Sequence, residues 1–358
     1  MLKKCESERK YMQLDQEANT PVQKEYAFIA QLQLDNPMVK NEKLSKFRNR
    51  YLIGDCEKTL KDVPDNSIDL IITSPPYADS RKNTYGGVSP DKYVGWFLPR
   101  SNEFLRVLKP TGTFILNIKE RVENGERHTY VLDLIKELRN QGWLWTEEYV
   151  WHKKNTHPGK WPNRFRDAWE RCLQFNKTRN FKMHQEEVMV PIGDWSKTRL
   201  KNLSETDLSR ATSKVGSGFG KKISNWVGKT KVYPSNVLHL ATECGNKNHS
   251  AVFPTELPAW FIRLFSKEGD FVLDPFAGSG TTAVACQRLG RDYLMIDVAS
   301  DYKKIAEGRL FHETNKTKRS SKVRKNTHTG LPQRSLAEFG EDKPQRTSQA
   351  KKPISLQD

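Results

Sequence analysis

Short blocks of apolar and polar positions alternate over residues 46–150, and the same kind of pattern returns over residues 250–312. Short runs rich in Ile, Leu and Val and bounded by turn residues are typical of buried strands, whereas apolar residues at helical spacing predict amphipathic helices. Strands are predicted at residues 51–53, 68–72, 113–118, 143–150, 271–274 and 293–296. Helices are predicted over residues 91–108, with an interruption near Pro99, and over residues 128–141, 257–265, 283–289 and 301–311. This alternation predicts an α/β protein with a mostly parallel, doubly wound sheet built from two separated segments of the chain.

The segments outside these two blocks have a different character. Residues 1–45 are polar and form a predicted N-terminal extension, with one helix near residues 26–34. Residues 151–249 show only weak periodicity. Residues 313–358 are rich in Lys, Arg, Ser, Thr, Gln and Pro and poor in apolar residues, a composition that predicts a disordered basic tail.

The predicted strand at residues 68–72 leads into the tetrapeptide Ser74-Pro75-Pro76-Tyr77. Two consecutive prolines fix φ twice and donate no backbone N–H, so they form a rigid corner whose carbonyl groups can only accept hydrogen bonds. A nucleobase with an exocyclic amine fits this corner, because Tyr77 can stack on it while the Ser74 hydroxyl and the Pro75 carbonyl accept from its NH₂ group. Such acceptors also favour a localised lone pair on the nitrogen. Taken alone, the tetrapeptide is explained equally well by an ordinary strand-end turn with a packed tyrosine.

A second motif lies far downstream, where residues 271–282 read as a strand, a glycine turn and the start of a helix. Glycines let a backbone approach a ligand closely, and a helix N-terminus offers free N–H groups to an anion. The next predicted strand ends in Asp297, and an acidic residue at this distance from a glycine turn is suited to hold ribose hydroxyl groups. The turn lacks the full G-x-G-x-x-G spacing, so the pattern favours a nucleoside with a carboxylate-bearing tail over a dinucleotide.

Five motifs in this order resemble those of the DNA amino-methyltransferases, which transfer a methyl group from S-adenosylmethionine to an exocyclic base nitrogen. They are Gly54-Asp55-Cys56, Thr73-Ser74-Pro75-Pro76-Tyr77, Leu108-Lys109-Pro110-Thr111-Gly112-Thr113, Asn248-His249-Ser250-Ala251-Val252-Phe253-Pro254 and Asp274-Pro275-Phe276-Ala277-Gly278-Ser279-Gly280-Thr281-Thr282. The similarity spans residues 45–312, and the catalytic motif precedes the cofactor motif, as in the circularly permuted β group of the family. It implies a Rossmann-like methyltransferase fold with a catalytic half at residues 46–150, an inserted target-recognition region at residues 151–249 and a cofactor-binding half at residues 250–312.

The resemblance also implies a role for each matching residue. The catalytic tetrapeptide Ser74, Pro75, Pro76 and Tyr77 would hold a target base that is flipped out of the duplex. S-adenosylmethionine would meet Asp55 at its adenine amine, Asp297 at its ribose, Thr281 near its methionine carboxylate and Phe253 on its methionine side. The loop that wraps it would comprise Asp274, Pro275, Phe276, Gly278 and Gly280.

In this family, Ser-Pro-Pro-Tyr occurs mostly in enzymes that methylate N4 of cytosine, and Asp- or Asn-Pro-Pro-Tyr mostly in enzymes that methylate N6 of adenine. The resemblance therefore favours cytosine N4, with N6 of adenine in DNA or RNA as the alternative. Methylation at cytosine C5 needs a Cys nucleophile that usually follows Pro, whereas the five cysteines here follow Lys4, Asp55, Arg171, Glu243 and Ala285. Covalent catalysis at C5 is therefore not expected. A hypothesis of a different class is a catalytically silent DNA-binding subunit, against which the intact motifs argue.

The charge of the chain agrees with a nucleic-acid substrate. Among its 358 residues, 60 are Lys or Arg and 43 are Asp or Glu, so the net charge is +17 at pH 7 and suits a polyanionic partner. Residues 151–250 alone hold 19 basic and 8 acidic residues together with five tryptophans. Candidate DNA contacts are Lys153, Lys160, Arg164, Arg166 and Lys221. The glycine-rich run 215–222 is either a loop that orders on DNA or a plain linker.

The cysteines predict a reducing compartment and no metal site, because the five are scattered and form no C-x-x-C pair or Cys/His cluster at zinc spacing. The first residues carry charge with no apolar run behind them, and no stretch approaches the ~20 apolar residues of a membrane span. We therefore expect a cytoplasmic bacterial enzyme that acts on double-stranded DNA, as a monomer or homodimer, beside a separate cognate restriction endonuclease.

Overall fold

The computed structural model describes residues 42–79, 86–156, 159, 162–193, 200, 201, 203, 227–243 and 253–326, with side chains described to residue 315. Several predictions concern other residues and lie outside the described ones: the N-terminal extension before residue 42, Lys160, Lys221, the glycine-rich run 215–222, and the tail beyond residue 326. In the part of the chain that the structure describes, no helix combines the length and apolar character needed to cross a membrane.

The strands, in chain order, are β1 (Arg50–Ile53), β2 (Ile68–Thr73), β3 (Leu108–Ile118), β4 (Val122–Glu123), β5 (Glu126–Arg127), β6 (Leu144–Lys153), β7 (Trp169–Asn176), β8 (Val190–Pro191), β9 (Lys231–Val232), β10 (Val237–Leu240), β11 (Phe271–Asp274) and β12 (Asp292–Asp297). The α-helices are α1 (Cys56–Thr59), α2 (Pro90–Val107), α3 (Tyr130–Asn140), α4 (Glu256–Phe265), α5 (Thr281–Arg288) and α6 (Ser300–Asn326). Short 3₁₀ turns lie at Leu60–Asp62 and Gln185–Val188.

The central sheet has eight strands in the order β1-β12-β11-β2-β3-β7-β6-β10. Every neighbouring pair is parallel except the two pairs that involve β7. The predicted mostly parallel α/β sheet is thereby confirmed. Strands β2 and β11 lie side by side although their sequences are far apart, because β11 enters the sheet between β2 and β12.

Apolar side chains cover both faces of the sheet. All six residues of β2 are buried, and its side chains alternate between the faces. On one face, Ile71 belongs to a cluster that also contains Phe97 and Phe104 of α2 and Leu134 of α3. On the other face, the neighbouring β2 residues Leu70 and Ile72 join a cluster with Phe261 and Phe265 of α4. Helices on both faces explain why the strand is apolar throughout.

The buried carboxylate of Asp69 aligns the starts of three strands. It accepts hydrogen bonds from the ammonium group of Lys109 at 2.7 Å to both oxygens and from the backbone N–H of Phe271 at 3.0 Å. Asp69 lies in β2, Lys109 in β3 and Phe271 in β11. The carboxylate therefore helps to set the register that brings the far ends of β2 and β11 together.

Two predictions about helices were wrong. Helix α2 is continuous through Pro99. A proline has no N–H to donate to the carbonyl group four residues earlier, which here belongs to Gly95. Because both Gly95 and Pro99 are exposed, water can bond that carbonyl group and the helix continues. Helix α6 runs past its predicted end to Asn326, so residues 313–326 are helical rather than part of a disordered tail. The sequence of this helix is rich in Lys, Arg and Glu, which are good helix formers.

The predicted target-recognition region contributes to the central sheet. Strand β6 extends through residue 150, where the catalytic half was expected to end, and both β7 and β10 lie inside the segment 151–249. The antiparallel register of β6 with β7 makes this part of the chain a hairpin of the sheet. The described remainder of the segment comprises loops, the 3₁₀ turn Gln185–Val188 and the two-stranded ribbon of β8 and β9. A boundary at residue 150 therefore does not separate two structural units.

Candidate active site

The carboxyl ends of four neighbouring parallel strands meet at one edge of the sheet. Strand β1 leads into Gly54 and Asp55, and β12 ends in Asp297. Strand β11 leads into residues 275–280, called the glycine loop below, and β2 leads into Ser74–Tyr77. The chain leaves β2 towards β3 and leaves β11 towards β12, in opposite directions along the sheet. Such a switch of direction opens a crevice at which α/β proteins bind ligands.

A pocket enclosing about 650 Å³, part of it open to solvent, lies at this switch. It brings together the predicted catalytic residues Pro76 and Tyr77 with the predicted cofactor residues Asp55, Pro275, Phe276 and Asp297. The lining is completed by Gly54, Cys56, Gly87, Val88, Trp96, Arg100 and Val298. Predicted site residues from both halves of the sequence therefore share one cavity. The other predicted catalytic and cofactor residues that the structure describes stand outside its lining: Ser74, Pro75, Phe253, Asp274, Gly278, Gly280 and Thr281.

The glycine loop needs its glycines for two reasons. Gly278 and Gly280 both have positive φ, 49° and 76°, a conformation that glycine adopts without steric cost. A Cβ atom on Gly280 would also lie 2.6 Å from the Cβ of Ala306, so α6 packs directly on the loop. Gly280 forms the N-cap of α5, which places the free N–H groups of that helix beside the loop.

Asp297 holds the glycine loop from the tip of β12. Its buried carboxylate accepts hydrogen bonds from the backbone N–H of Gly278 at 2.8 Å and of Ala299 at 2.9 Å, and its carbonyl accepts from Gly54 N–H at 2.9 Å. The residue also lines the pocket. Asp297 therefore joins the ends of β1 and β12 to the loop after β11.

Asp274 has a different place from the one predicted for a cofactor ligand. Its carboxylate is buried behind the loop and accepts hydrogen bonds from the hydroxyls of Thr73 and Thr282, each at 2.6 Å, and from Phe276 N–H at 3.2 Å. These contacts tie the end of β2 to the loop and to the first turn of α5. Burial raises the pKa of Asp274 to about 6, although the three donors act in the opposite direction. Asp274 therefore fixes the relative position of the two motifs.

Replacing Asp274 by asparagine is expected to flatten the pH dependence of stability between pH 4 and 6. The folded-state pKa lies above the usual value of 3.8, so the folded state holds this proton more tightly than the unfolded state does. The stability from this group is therefore full below about pH 4 and is lost as the pH rises through about 6, by about 3 kcal/mol. Urea unfolding of both proteins between pH 4 and 7 measures the difference, with the exposed Asp62→Asn as control. An unchanged slope in Asp274→Asn would contradict the prediction.

An aromatic and charged wall closes the pocket on the side of α2. The rings of Trp96 and Phe276 lie 5.7 Å apart, and the Arg100 guanidinium lies 4.5 Å from the Trp96 ring centroid. Arg100 also donates a hydrogen bond to the Asp55 carboxylate at 2.6 Å, while the other Asp55 oxygen caps α1 through Glu57 N–H at 3.1 Å. Trp96 and Arg100 were missed in the sequence. Their spacing of one helical turn on the first helix after the tetrapeptide was the signal that could have revealed them.

The tetrapeptide is held by hydrogen bonds that leave its hydroxyl groups connected in a chain. The Ser74 hydroxyl donates to the Tyr77 hydroxyl at 3.3 Å, and the Tyr77 hydroxyl donates to Glu170 at 2.6 Å. The Tyr93 hydroxyl donates to the Pro76 carbonyl at 3.0 Å, which fixes the proline corner to α2. Burial and the neighbouring Glu170 carboxylate raise the pKa of Tyr77 well above its usual value. Tyr77 therefore stays protonated and remains a donor to Glu170.

Glu170 is the acidic member of this site that sequence reasoning missed. It lies near the start of β7, where its side chain is only 9% exposed. Besides Tyr77 it accepts from the Asn117 amide at 3.1 Å and pairs with the Lys153 ammonium group. An acidic residue among basic neighbours was the available signal, but only the pairing of β3, β7 and β6 shows that it reaches the tetrapeptide.

The predicted DNA contacts divide into two groups. Lys153 is engaged inside the site, since its ammonium group pairs with Glu170 and lies 4.9 Å from the Trp151 ring centroid. Lys153 thus lies beside the carboxylate that accepts from Tyr77, and its contact with DNA stays a prediction. Arg164 pairs with Asp167 at 3.1 Å, and exposed Arg166 donates to the Thr156 carbonyl at 3.3 Å. Both arginines belong to the loop that joins β6 to β7, at the same edge of the sheet as the pocket.

The described cysteines are unsuited to act as nucleophiles. Cys56, Cys172 and Cys286 are free and buried, and burial raises the pKa of each thiol far above its usual value. Cys56 lines the pocket but would stay protonated there. Because the thiolate is the reactive form, these positions are inert.

The remaining predicted site residues lie around the glycine loop. The Thr281 hydroxyl accepts a hydrogen bond from Arg309 at 2.8 Å, and Arg309 also bonds the Ser279 carbonyl at 3.0 Å. Phe253 packs at the margin of the apolar cluster that contains α4. Ser74 is partly exposed and Pro75 is buried at the end of β2.

The fold and the pocket together define a transferase of the α/β methyltransferase class. A family model described as DNA methylase, of the N6 and N4 methyltransferases, matches residues 68–308. The chain is 30% identical over 274 residues to the type II methyltransferase M.PvuII of Proteus hauseri, a match that covers 70% of this chain and 80% of that relative. It is 27% identical over 287 residues to M.HinfI of Haemophilus influenzae, covering 75% of this chain and 70% of that relative.

A solved structure, PvuII DNA methyltransferase (cytosine-N4-specific), superposes with a TM-score of 0.56 at 25% identity, covering 74% of this chain and 86% of that one. The chain belongs to the DNA methylase family. Its reaction is methyl transfer from S-adenosylmethionine to DNA, as the sequence predicted. The matched region includes the tetrapeptide and the glycine loop, which are the two motifs that meet in the pocket.

Proposed function

We propose that this enzyme methylates N4 of cytosine in a base flipped out of double-stranded DNA, as the modification enzyme of a restriction-modification system. The observation that carries the proposal is the position of Ser74–Tyr77, whose last two residues line the same pocket as Asp55, Phe276 and Asp297. Serine at the first position of the tetrapeptide favours cytosine N4. The similarity to a relative described as cytosine-N4-specific supports the same choice.

The residues of the pocket fit S-adenosylmethionine. The aromatic rings of Trp96 and Phe276 suit a purine, the Asp297 carboxylate suits ribose hydroxyl groups, and the N-terminus of α5 suits a carboxylate. A Cβ on Gly280 would collide with α6, so the loop has to keep this close-packed form. When bound there, the cofactor supplies a methyl group already activated by a sulfonium leaving group. The protein needs no strong base to start the reaction.

The chain itself positions the amine and receives its proton. The Ser74 hydroxyl and the Pro75 carbonyl would accept from the amino group, which localises the nitrogen lone pair. When the amine forms its bond to the methyl carbon, it must release one proton. The hydrogen-bonded chain from Ser74 through Tyr77 to Glu170 offers that proton a route to a buried carboxylate. Each hydroxyl would pass on its own proton and take up the next one.

The exposed part of the loop between β6 and β7 supports contact with DNA. Arg164 and Arg166 lie at the pocket edge of the sheet and suit phosphate groups. Lys160 and Lys221 remain proposed contacts on the evidence of the sequence. A separate cognate endonuclease and a homodimeric state also remain predictions.

Mass analysis of digested nucleosides tests the proposed reaction. The protein is incubated with labelled S-adenosylmethionine and genomic DNA, and N4-methylcytosine is the expected product. Labelled N6-methyladenine would overturn the choice of base while leaving the reaction class intact. DNA binding without any labelled nucleoside would instead favour a catalytically silent subunit.

A further inference from the structure

The loop between β6 and β7 exposes an aromatic ring. The Phe165 side chain is 95% exposed, the largest fraction among the exposed large apolar side chains of the described residues. Leaving a whole phenyl ring in water forgoes the stabilisation that burial would give it. The ring stands between Arg164 and Arg166, so cations flank it on both sides in sequence.

The base of this loop is firmly held. The Asp167 carboxylate bonds Lys119 at 3.1 Å, Arg127 at 2.7 Å and Arg164 at 3.1 Å. The hydrogen bond from Arg127 and the Lys119 charge lower the pKa of Asp167 to about 2, although burial opposes them. The backbone N–H of Lys153 also donates a hydrogen bond to the Ala168 carbonyl at 2.7 Å. These contacts hold Arg164, Asp167 and Ala168, three described neighbours of Phe165 in the loop.

The loop segment that carries Phe165 is close to the catalytic tyrosine, Tyr77. Glu170, whose carboxylate accepts from Tyr77 at 2.6 Å, lies five residues after Phe165. Five residues span at most about 17 Å even when fully extended. Lys119 follows β3, whose Asn117 side chain contacts both Tyr77 and Glu170. A duplex whose target base reached Ser74–Tyr77 would therefore pass within range of the Phe165 ring.

We propose that Phe165 inserts into the base stack of the DNA beside the target nucleotide and occupies the space that the flipped base leaves. The inference rests on the proposed base-flipping reaction. Apolar side chains enter base steps in other proteins that distort DNA, and stacking on an aromatic ring offsets part of the unstacking free energy. Arg164 and Arg166 neutralise the phosphates on either side of the insertion. Phe165 is thus a positioning residue that stabilises the flipped state.

The test compares Phe165→Ala with the unchanged enzyme on a duplex that carries a site the enzyme methylates, located by sequencing of the methylated DNA. We expect kcat/KM of the variant to fall by about tenfold or more, the size of effect that loss of one base–aromatic stack gives. A mismatch at the target pair lowers the cost of unpairing. It should therefore restore the variant to within a few-fold of the unchanged enzyme. A fluorescent analogue at the target position should brighten less with the variant, and Phe165→Trp should restore both signals.

Phe311→Ala is the matched control, because Phe311 is also an exposed phenylalanine, 66% exposed, but lies on α6. It should behave as the unchanged enzyme. The inference is overturned if Phe165→Ala keeps kcat/KM within twofold on the matched duplex, or if the mismatch raises both enzymes by the same factor. If the unchanged enzyme methylates no DNA, the proposed function fails, and this inference falls with it.

Discussion

Replacing Ser74 by alanine is expected to lower the turnover number by about 10²–10³-fold at saturating cofactor, the usual effect of removing one transition-state hydrogen-bonding group. The serine hydroxyl is the proposed acceptor for the target amine, and it donates to Tyr77 at 3.3 Å. Alanine is nearly the same size, so the proline corner and its bond from Tyr93 should stay in place. Single-turnover methylation with labelled cofactor measures the rate.

Two further variants separate chemistry from binding in this experiment. Ser45→Ala removes the hydroxyl of an exposed serine, which donates to the Glu42 carbonyl, so it should leave the rate unchanged. Asp297→Asn should weaken cofactor binding and retain most of the rate at saturation. A Ser74→Ala enzyme with a normal rate at saturation but weaker cofactor binding would show that Ser74 belongs to the cofactor site. Tyr77→Ala is a poor substitute, because Tyr77 lines the pocket and packs on the core.

Replacing Glu170 by glutamine is expected to lower both stability and turnover. The change leaves the Lys153 ammonium group, 19% exposed, without its carboxylate. Breaking a buried pair in this way costs about 3 kcal/mol, the lower end of the usual range because Lys153 keeps some contact with water. The change also removes the proposed proton acceptor from the chain that starts at Ser74, so we expect about a 10²-fold lower turnover number. Urea unfolding and single-turnover assays report the two effects.

A double variant separates the loss of stability caused by an unpaired Lys153 charge from the loss of turnover caused by the missing proton acceptor. Lys153→Met combined with Glu170→Gln should regain more than half of the lost stability, since no unpaired ion remains, while turnover stays low. Glu307→Gln is the surface control, because Glu307 is 59% exposed and its pairing with Lys303 at 4.0 Å is worth less than about 0.5 kcal/mol. Normal turnover in a folded Glu170→Gln enzyme would show that Glu170 takes no part in the reaction.

Local patterns in the sequence predicted most of the sheet. The run 68–72 could be read as a strand because its Ile and Leu residues are buried on both faces, as β2 confirms. Strand β7 escaped prediction because its sequence Trp-Glu-Arg-Cys-Leu-Gln-Phe-Asn mixes polar and apolar residues without a clean alternation. Its polar side chains are satisfied by neighbours such as Asn117 and Tyr149, and only the folded sheet supplies these partners. The continuity of α2 also depended on surroundings, namely on water around Gly95 and Pro99.

Sequence motifs located the pocket residues at the strand ends but missed the side chains that contact them from other parts of the chain. Asp55, Phe276, Tyr77 and Asp297 all line the pocket, because short motifs at strand ends share one edge of a parallel sheet. Asp274 belongs to a motif but is not part of the pocket lining, because its carboxylate bonds Thr73 and Thr282 instead, a distinction that spacing alone does not carry. Glu170 and Arg100 act through contacts with residues distant in sequence, 93 residues from Tyr77 and 45 from Asp55.

The insertion of β11 between β2 and β12 has a consequence for how the chain folds during its synthesis on the ribosome. Until β11 has emerged, one side of β2 presents unpaired backbone groups, and until β12 has emerged, β1 has no strand to pair with. An unpaired edge is a template for association with other chains. Contacts between segments this distant in sequence also form slowly. We expect nascent chains that stop before β11 to bind holdase chaperones or aggregate, and methylation activity to arise abruptly once β12 and the first turns of α6, which pack on the glycine loop, have been synthesised.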